Sequence, residues 1–485
     1  MIELLLVGVP ALAASVTLSP GDDIGSLTSS LQPGDVVTFN GGTYELEGTV
    51  YWTGVGSEDA PITLKAAAGA PVVLKNNGGG WVAQLVDSSY VVVSGLSFSG
   101  GGGDDLQDRG PSGLYVRDSD TVRIEDCTVE DVWGTALRLD GNLNNLVVRH
   151  NELSNTGDGS GIYVGCGSAE CWMQDSLVEF NLVHDIQGSG IYLSRGTQNV
   201  RVQHNVVFRI RDDGLATRAT EFGPQNVLYG NAVWQVEDDG IFVDGPALVQ
   251  NNLVFEVGGD GLYSRDEDGS LFDVQISHNT FARTDGWGAR LDDWYDKDGL
   301  VFANNAIANP TGLGVYWDDQ HYDDNGYGTT TTASGEDTSN YIANNVVTGF
   351  VDGFEEILRP TFVVPGGGVA DFESIDDFDF YPTSNSTLRD AGTPDGQAYI
   401  PQEDFNGTAR DGESPDAGAY EYDGNGNPGW VVAETFKDYT PNEGRNASNI
   451  SGGCCGNKKG TPDGSTAAMF LPLGLGVLAR RRRRR

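Results

Sequence analysis

Gly161-Ile-Tyr-Val, Gly190-Ile-Tyr-Leu, Gly214-Leu-Ala-Thr, Gly240-Ile-Phe-Val and Gly261-Leu-Tyr-Ser write one short phrase again and again, at a step of about two dozen residues. The phrase extends outward to Gly113-Leu-Tyr-Val and Ala136-Leu-Arg-Leu on one side, and to Gly288-Ala-Arg-Leu and Gly314-Val-Tyr-Trp on the other. A second register advances with it: Cys127, Asn151, Asn181, Asn205, Asn231, Asn252, Asn279, Asn305 and, after a longer gap, Asn345, each followed by apolar residues. Two registers moving together mean stacked repeats, and short β-branched runs punctuated by Gly, Asn and Asp leave no room for a helix in each repeat. The expected fold is all-β, a single-stranded right-handed parallel β-helix with capped ends, its hand following the usual β crossover.

Composition bounds the partners. The 485 residues carry 68 glycines without a Gly-X-Y period, which is turn-rich β composition. A formal charge of −41 excludes a nucleic-acid partner, since no basic stripe exists on the repeat region. A solenoid buries its core coil by coil, so one large domain of this length is expected, as a monomer.

Alternation sorts the strands into an inner and an outer side. Ile162 and Val164, Ile191 and Leu193, and Ile241 and Val243 are expected inside. The outer column is then Tyr115, Arg138, Tyr163, Tyr192, Ala216, Phe242, Tyr263, Arg290 and Tyr316. Sugar rings pack their C–H faces on such aromatics, which makes Tyr163, Tyr192, Phe242, Tyr263, Arg290 and Tyr316 the expected glycan-binding residues; stacked rings that only support neighbouring strands are the alternative. A second outer column, running through Arg218, Asp244, Arg265 and Asp292, alternates in sign as a register-holding charge ladder, with Arg218 as a catalytic candidate. At the turn entering these strands, Asp212, Asp213, Asp238, Asp239 and Asp260 recur at the coil spacing. Carboxylates stacked in this way repel unless a cation intervenes, and hard oxygen ligands suit Ca²⁺, although Asp-Gly is also ordinary turn chemistry. The Asn column reads as an amide ladder. His184 shares a coil position with Ser154, Phe208, Trp234 and Phe255 and is a candidate base, whereas His204 and His278 sit in plain repeat text. Cys166 and Cys171, five residues apart, are expected to form a local disulfide, and Cys127 to be a buried thiol.

The amino-terminal text Leu31-Gln-Pro-Gly-Asp, Gly42-Thr-Tyr and Ala60-Pro-Ile-Thr-Leu resembles the cap of right-handed β-helix polysaccharide lyases, the chondroitinase B, alginate lyase and pectate lyase kin. Ile24, Leu27 and Leu31 would cover the open core end. The resemblance implies binding or cleavage of an extracellular polysaccharide, by a lyase in which Ca²⁺ neutralises a uronate and a base removes the adjacent proton. Such enzymes commonly use a Lys or Arg base, which marks Lys297, the one Lys between Lys75 and Lys437. A non-catalytic surface adhesin or glycan-binding scaffold is the alternative. Leu388-Arg-Asp-Ala-Gly-Thr, Asp404-Phe-Asn-Gly-Thr-Ala-Arg and Ser414-Pro-Asp-Ala-Gly-Ala-Tyr resemble a closing segment of bacterial surface β-helix proteins, placed over the end of the last coil.

The ends read as processing signals. Residues 1–14 resemble a signal peptide, 18–422 the β-helix domain (cap and first coils 18–100, regular coils 101–350, closing segment 351–422), and 423–453 a stalk. Residues 454–485 hold Cys454 and Cys455, a short apolar span and six terminal arginines, and resemble a myxobacterial-type sorting tail. These features imply a secreted protein held at the cell surface or outer membrane, touching the membrane only through its tail.

Overall fold

The computed structural model describes residues 13–437, apart from 26–30, 101–109, 168–170, 219–222, 268–270, 295, 296, 298, 318, 319, 323–327, 331–339, 354–361 and 425. Most of the expected signal peptide, Leu27 and the tail with Cys454 and Cys455 lie outside the described residues. The expected all-β solenoid is what forms, from short strands stacked in parallel.

Each coil contributes three strands, one more than the two sequence registers mark. In one coil these are Thr197–Gln203 on face one, Val206–Ile210 on face two and Leu215–Arg218 on face three. The next coil repeats them as Asn226–Tyr229, Ala232–Val236 and Ile241–Asp244, paired in parallel and in register. Leu215, Ile241 and Leu262 stack directly on one another with no exposed surface, as the alternation required. At the amino end Ile24 and Leu31 join the core, beside the first paired strands Ser15–Leu18 and Val36–Phe39.

The corner between faces one and two is built from two adjacent columns. In the first, His150, Phe180, His204, Gly230, Asn251, His278, Asn304 and Asn344 all adopt left-handed backbone, with φ between 53° and 63°. That conformation turns the chain in a single residue and aims the side chain outward. In the second, each Asn of the ladder donates its backbone N–H and its Nδ2 to the Oδ1 of the next Asn, at 2.9–3.1 Å from Asn151 through Asn345. Cys127 opens the ladder by donating its backbone N–H to Asn151 Oδ1 at 2.9 Å, and its buried thiol is free.

The closing segment departs from expectation. Its first described part, Val363–Pro365, does pair on the last coil, with Asn345–Val347; beyond that the segment packs along the outer flank of the coils. Phe208, Trp234 and Phe255 stack on face two at centroid spacings of 4.7 and 5.6 Å, and Phe378 and Phe380 cover Phe255 at 4.8 Å each. The left-handed column is its docking line: Asn344 donates to Ala391 O, Asn304 to Thr393 O and Asn251 to Glu403 O. His278 contacts Asp416 O, and Arg410 donates to Asn251 Oδ1 at 2.8 Å. The expected stalk does not begin at 423: Val432 is buried, and the described chain ends with fully buried Lys437, which donates to Gly230 O and Phe405 O at 2.7 and 2.9 Å beside His204. His204 and His278 thus hold this segment in addition to marking the repeat. Burial of such an outward row of rings is the physical reason for the placement, because a bare aromatic stripe on face two would face water.

Candidate functional site

Face three carries the outer column the sequence predicts, in the predicted register: Tyr115, Arg138, Tyr163, Tyr192, Ala216, Phe242, Tyr263, Arg290, Tyr316. The column is less open than alternation alone implies. Phe242 and Ala216 are buried, as is Asp244, because arginines lie flat over the rings. Arg218 sits 4.9 Å from the Phe242 centroid, Arg265 lies 5.2 Å from Tyr263, and Arg290 lies 4.8 Å from Tyr263 and 5.8 Å from Tyr316. Arg138 covers Tyr163 in the same way at 4.5 Å. Guanidinium planes favour aromatic faces and keep their edge donors for carboxylates. Among the described residues the Nε atoms of Arg218, Arg265 and Arg290 are buried without a hydrogen-bond partner.

The charge ladder is tied differently from the simple alternation. Arg218 and Arg265 both close on Glu267, from the loop after Leu262–Ser264. Arg290 pairs with Asp292 at 2.8 Å, and Tyr263 donates its hydroxyl to the same carboxylate at 3.0 Å. Glu267 escapes a repeat-based reading because it stands outside the strand period. Beside this network an open groove of about 520 Å³ is lined by Arg195, Tyr263, Arg265, Asp266, Glu267 and Asp293. Lys297 is not an exposed loop lysine: it is largely buried and paired with Asp266 at the groove's edge. Arg218 and Lys297 are therefore brought to one region, but each is engaged by a carboxylate.

His184 is set apart. It lies on face two, stacked on Phe208 at 5.0 Å, with Nδ1 2.6 Å from Asp185 and Nε2 3.4 Å from Glu152. It continues the aromatic row that supports the closing segment, so the structure does not join it to Arg218 and Lys297.

The stacked aspartates flank face three and divide into two groups. One carboxylate oxygen each from Asp212, Asp213 and Asp238 lies within 4.8 Å of the others, a spacing able to hold a cation. Asp239 and Asp260 instead serve the next coil: Asp239 Oδ1 accepts from Asp260 N at 2.7 Å, and Asp260 Oδ1 from Trp287 N at 2.6 Å. Burial first, then repulsion from Asp212, Asp239 and Asp238, pushes Asp213 up to about 8. Burial pushes Asp239 up to about 7 against the lowering effect of the Asp260 N–H, and Asp238 and Asp260 are raised by burial as well. Cys166 and Cys171 are disulfide-bonded at the following corner.

Solved structures of similar shape share the coil. The A-module of the mannuronan C-5 epimerase AlgE6 from Azotobacter vinelandii aligns at a TM-score of 0.51 and 15% identity, over 67% of this chain and 88% of that one. The AlgE4 A-module from the same organism aligns at 0.50 and 15%, over 69% and 91%. A mannuronic acid specific polysaccharide family 6 lyase from human gut microbiota aligns at 0.47 and 19%, over 72% and 90%. At these identities the likeness speaks to the fold alone. No curated protein matches by sequence. The family model described as the right handed beta helix region matches residues 72–207 and 174–353, together more than half of the sequence, and the chain belongs to that family.

Proposed function

We propose that face three binds an extracellular polysaccharide containing uronate units and acts on it as a lyase. The observation that carries the reading is the row of aromatic rings overlaid by arginines, two of them reaching in from the second outer column, beside the groove at Arg195, Tyr263 and Arg265. Rings offer a surface for sugar C–H faces, and guanidinium groups offer the paired donors that a carboxylate needs. In a chain of net charge −41, a local cluster of arginines is the place where a uronate is tolerated. The fold likeness to mannuronan-modifying enzymes agrees with this reading.

In the elimination, the uronate carboxylate is neutralised, a base removes the proton on the adjacent carbon, and the glycosidic oxygen leaves to give an unsaturated sugar. Arg265 is suited to the carboxylate once the substrate displaces Glu267, Lys297, on leaving Asp266, to taking the proton from carbon, and Tyr263, whose burial holds its proton, to giving one to the leaving oxygen. Asp212, Asp213 and Asp238 would hold Ca²⁺, which supplies further charge neutralisation when bound. Export and attachment through Cys454 or Cys455 belong to the same proposal, and a cell-surface fraction lacking the Arg480–Arg485 cluster is the expected location.

The test mixes the protein with alginate and pectate and follows ultraviolet absorbance of the unsaturated product together with binding. A rise that Arg265→Ala reduces by about two orders of magnitude is expected, as for loss of one charge-stabilising group at a reacting centre. Binding with a flat absorbance trace would make the protein a glycan-binding scaffold, and no binding at all would end the proposal. For the metal, chelator should lower the melting temperature of the wild type but not of Asp213→Asn.

A further inference from the structure

Away from face three, the corner leading from it to face one carries a second open groove, of about 570 Å³. Its lining repeats over three coils as Asp87-Ser88-Ser89, Asp118-Ser119-Asp120 and Asn142-Leu143-Asn144. Short side chains on successive coils leave a low floor, and Trp172 from the fourth coil completes the lining. Trp172 is 44% exposed, although tryptophan is the side chain with the most to gain from burial. Its position is fixed on both sides: Cys171 is disulfide-bonded to Cys166, and the Trp172 carbonyl accepts from Leu143 N at 2.9 Å. An exposed ring carried on so firmly held a backbone is positioned for a flat apolar ligand surface.

The polar groups around it are fixed as well. Asp118 Oδ1 accepts from Asn142 N at 3.0 Å and its Oδ2 from Arg117 Nε at 3.0 Å. Asp120 Oδ1 accepts from Asn144 Nδ2 at 2.8 Å and its Oδ2 from Thr121 Oγ1 at 3.1 Å. Each carboxylate oxygen retains capacity for a second donor. Hydroxyl groups are donors of the required kind, whereas an anionic sugar would meet Asp87, Asp118 and Asp120 against one arginine that is already paired. The groove spans several coils at about 4.8 Å each, room for a short run of sugar units.

We propose that this corner is a saccharide-binding site for neutral hexose chains, with Trp172 as the stacking platform and Asp118 and Asp120 as hydroxyl acceptors. It shares no residue with the uronate groove and stands whether or not face three is catalytic.

The experiment is saturation-transfer NMR and calorimetry of the intact protein with cellohexaose, maltohexaose and mannohexaose. At least one of these is expected to bind, with affinity reduced about tenfold by Trp172→Ala, restored in part by Trp172→Phe, and unchanged by Tyr263→Ala. Asp118→Ala should weaken the same binding, and it carries the test should Trp172→Ala lose its β circular-dichroism signal. Absence of binding by all three oligosaccharides, or binding indifferent to both Trp172 and Asp118 substitutions, would overturn the proposal.

Discussion

At Asp239 a single carboxylate shows how turn chemistry and electrostatics compete. Its oxygen is needed by the Asp260 N–H, yet burial and its acidic neighbours hold its proton up to about pH 7. A carboxyl whose folded value exceeds its unfolded one binds its proton more tightly in the folded state. It therefore favours folding at low pH and withdraws that support as the pH rises between about 4 and 7. Asp239→Asn keeps the acceptor oxygen and removes the titration. Relative to wild type it should be near neutral at pH 4 and more stable at pH 8, by on the order of 4 kcal/mol, in urea unfolding at the two pH values. A variant less stable than wild type at pH 8 would show that the charged form is the one the turn prefers. His204 and His278, whose burial lowers their values, titrate in both proteins, and comparing the two at each pH removes their contribution.

Between coils, the ladder is the element on which register depends. Asn252 Oδ1 accepts from both Asn231 N and Asn231 Nδ2, and its own Nδ2 reaches Leu228 O at 2.9 Å. Asn252→Ala removes four buried hydrogen bonds, those from Asn231 N and Asn231 Nδ2 and those to Leu228 O and Asn279 Oδ1, at about 1 kcal/mol each, so a loss of at least about 3 kcal/mol is expected from urea unfolding. A loss under about 1 kcal/mol would mean that water or a neighbour replaces the amide. This ladder was legible from sequence because every coil spells it with the same residue type at one offset. Face one was not, because Thr197–Gln203, Asn226–Tyr229 and Ala247–Gln250 share only alternation and abut the Asn register without a mark of their own. The site was legible in its aromatic column and its acidic turns. It was not legible in Glu267 or Trp172, which sit in loops where no period exists, nor in the burial of Phe242, which follows from arginines reaching across from neighbouring coils.

The described chain is a coil with a strap. The strap was hidden from sequence because its partners are far apart along the chain: Thr393 meets Asn304 across 89 residues, and Lys437 meets His204 across 233. Arg410 is its central pin, donating to Asn251 Oδ1 and Gly418 O and pairing with buried Glu421. Arg410→Met should leave Glu421 buried without its cation, at about 3–5 kcal/mol. Protease should then cut within 372–437, and a hydrophobic dye should bind the uncovered Phe208, Trp234 and Phe255, while the circular dichroism of the coils persists. Simultaneous loss of both signals would mean that strap and coils unfold as one unit. The route of this strap also sets where tension would enter. Because Lys437 is seated beside Gly230 and Phe436 stacks on His150 at 4.3 Å, a pull on the chain beyond residue 437 loads the middle of the solenoid and not its last coil. The buried amine and that one ring pair take the tension first, and the strap is expected to peel before the coils unwind, a mechanical fuse in series with the solenoid.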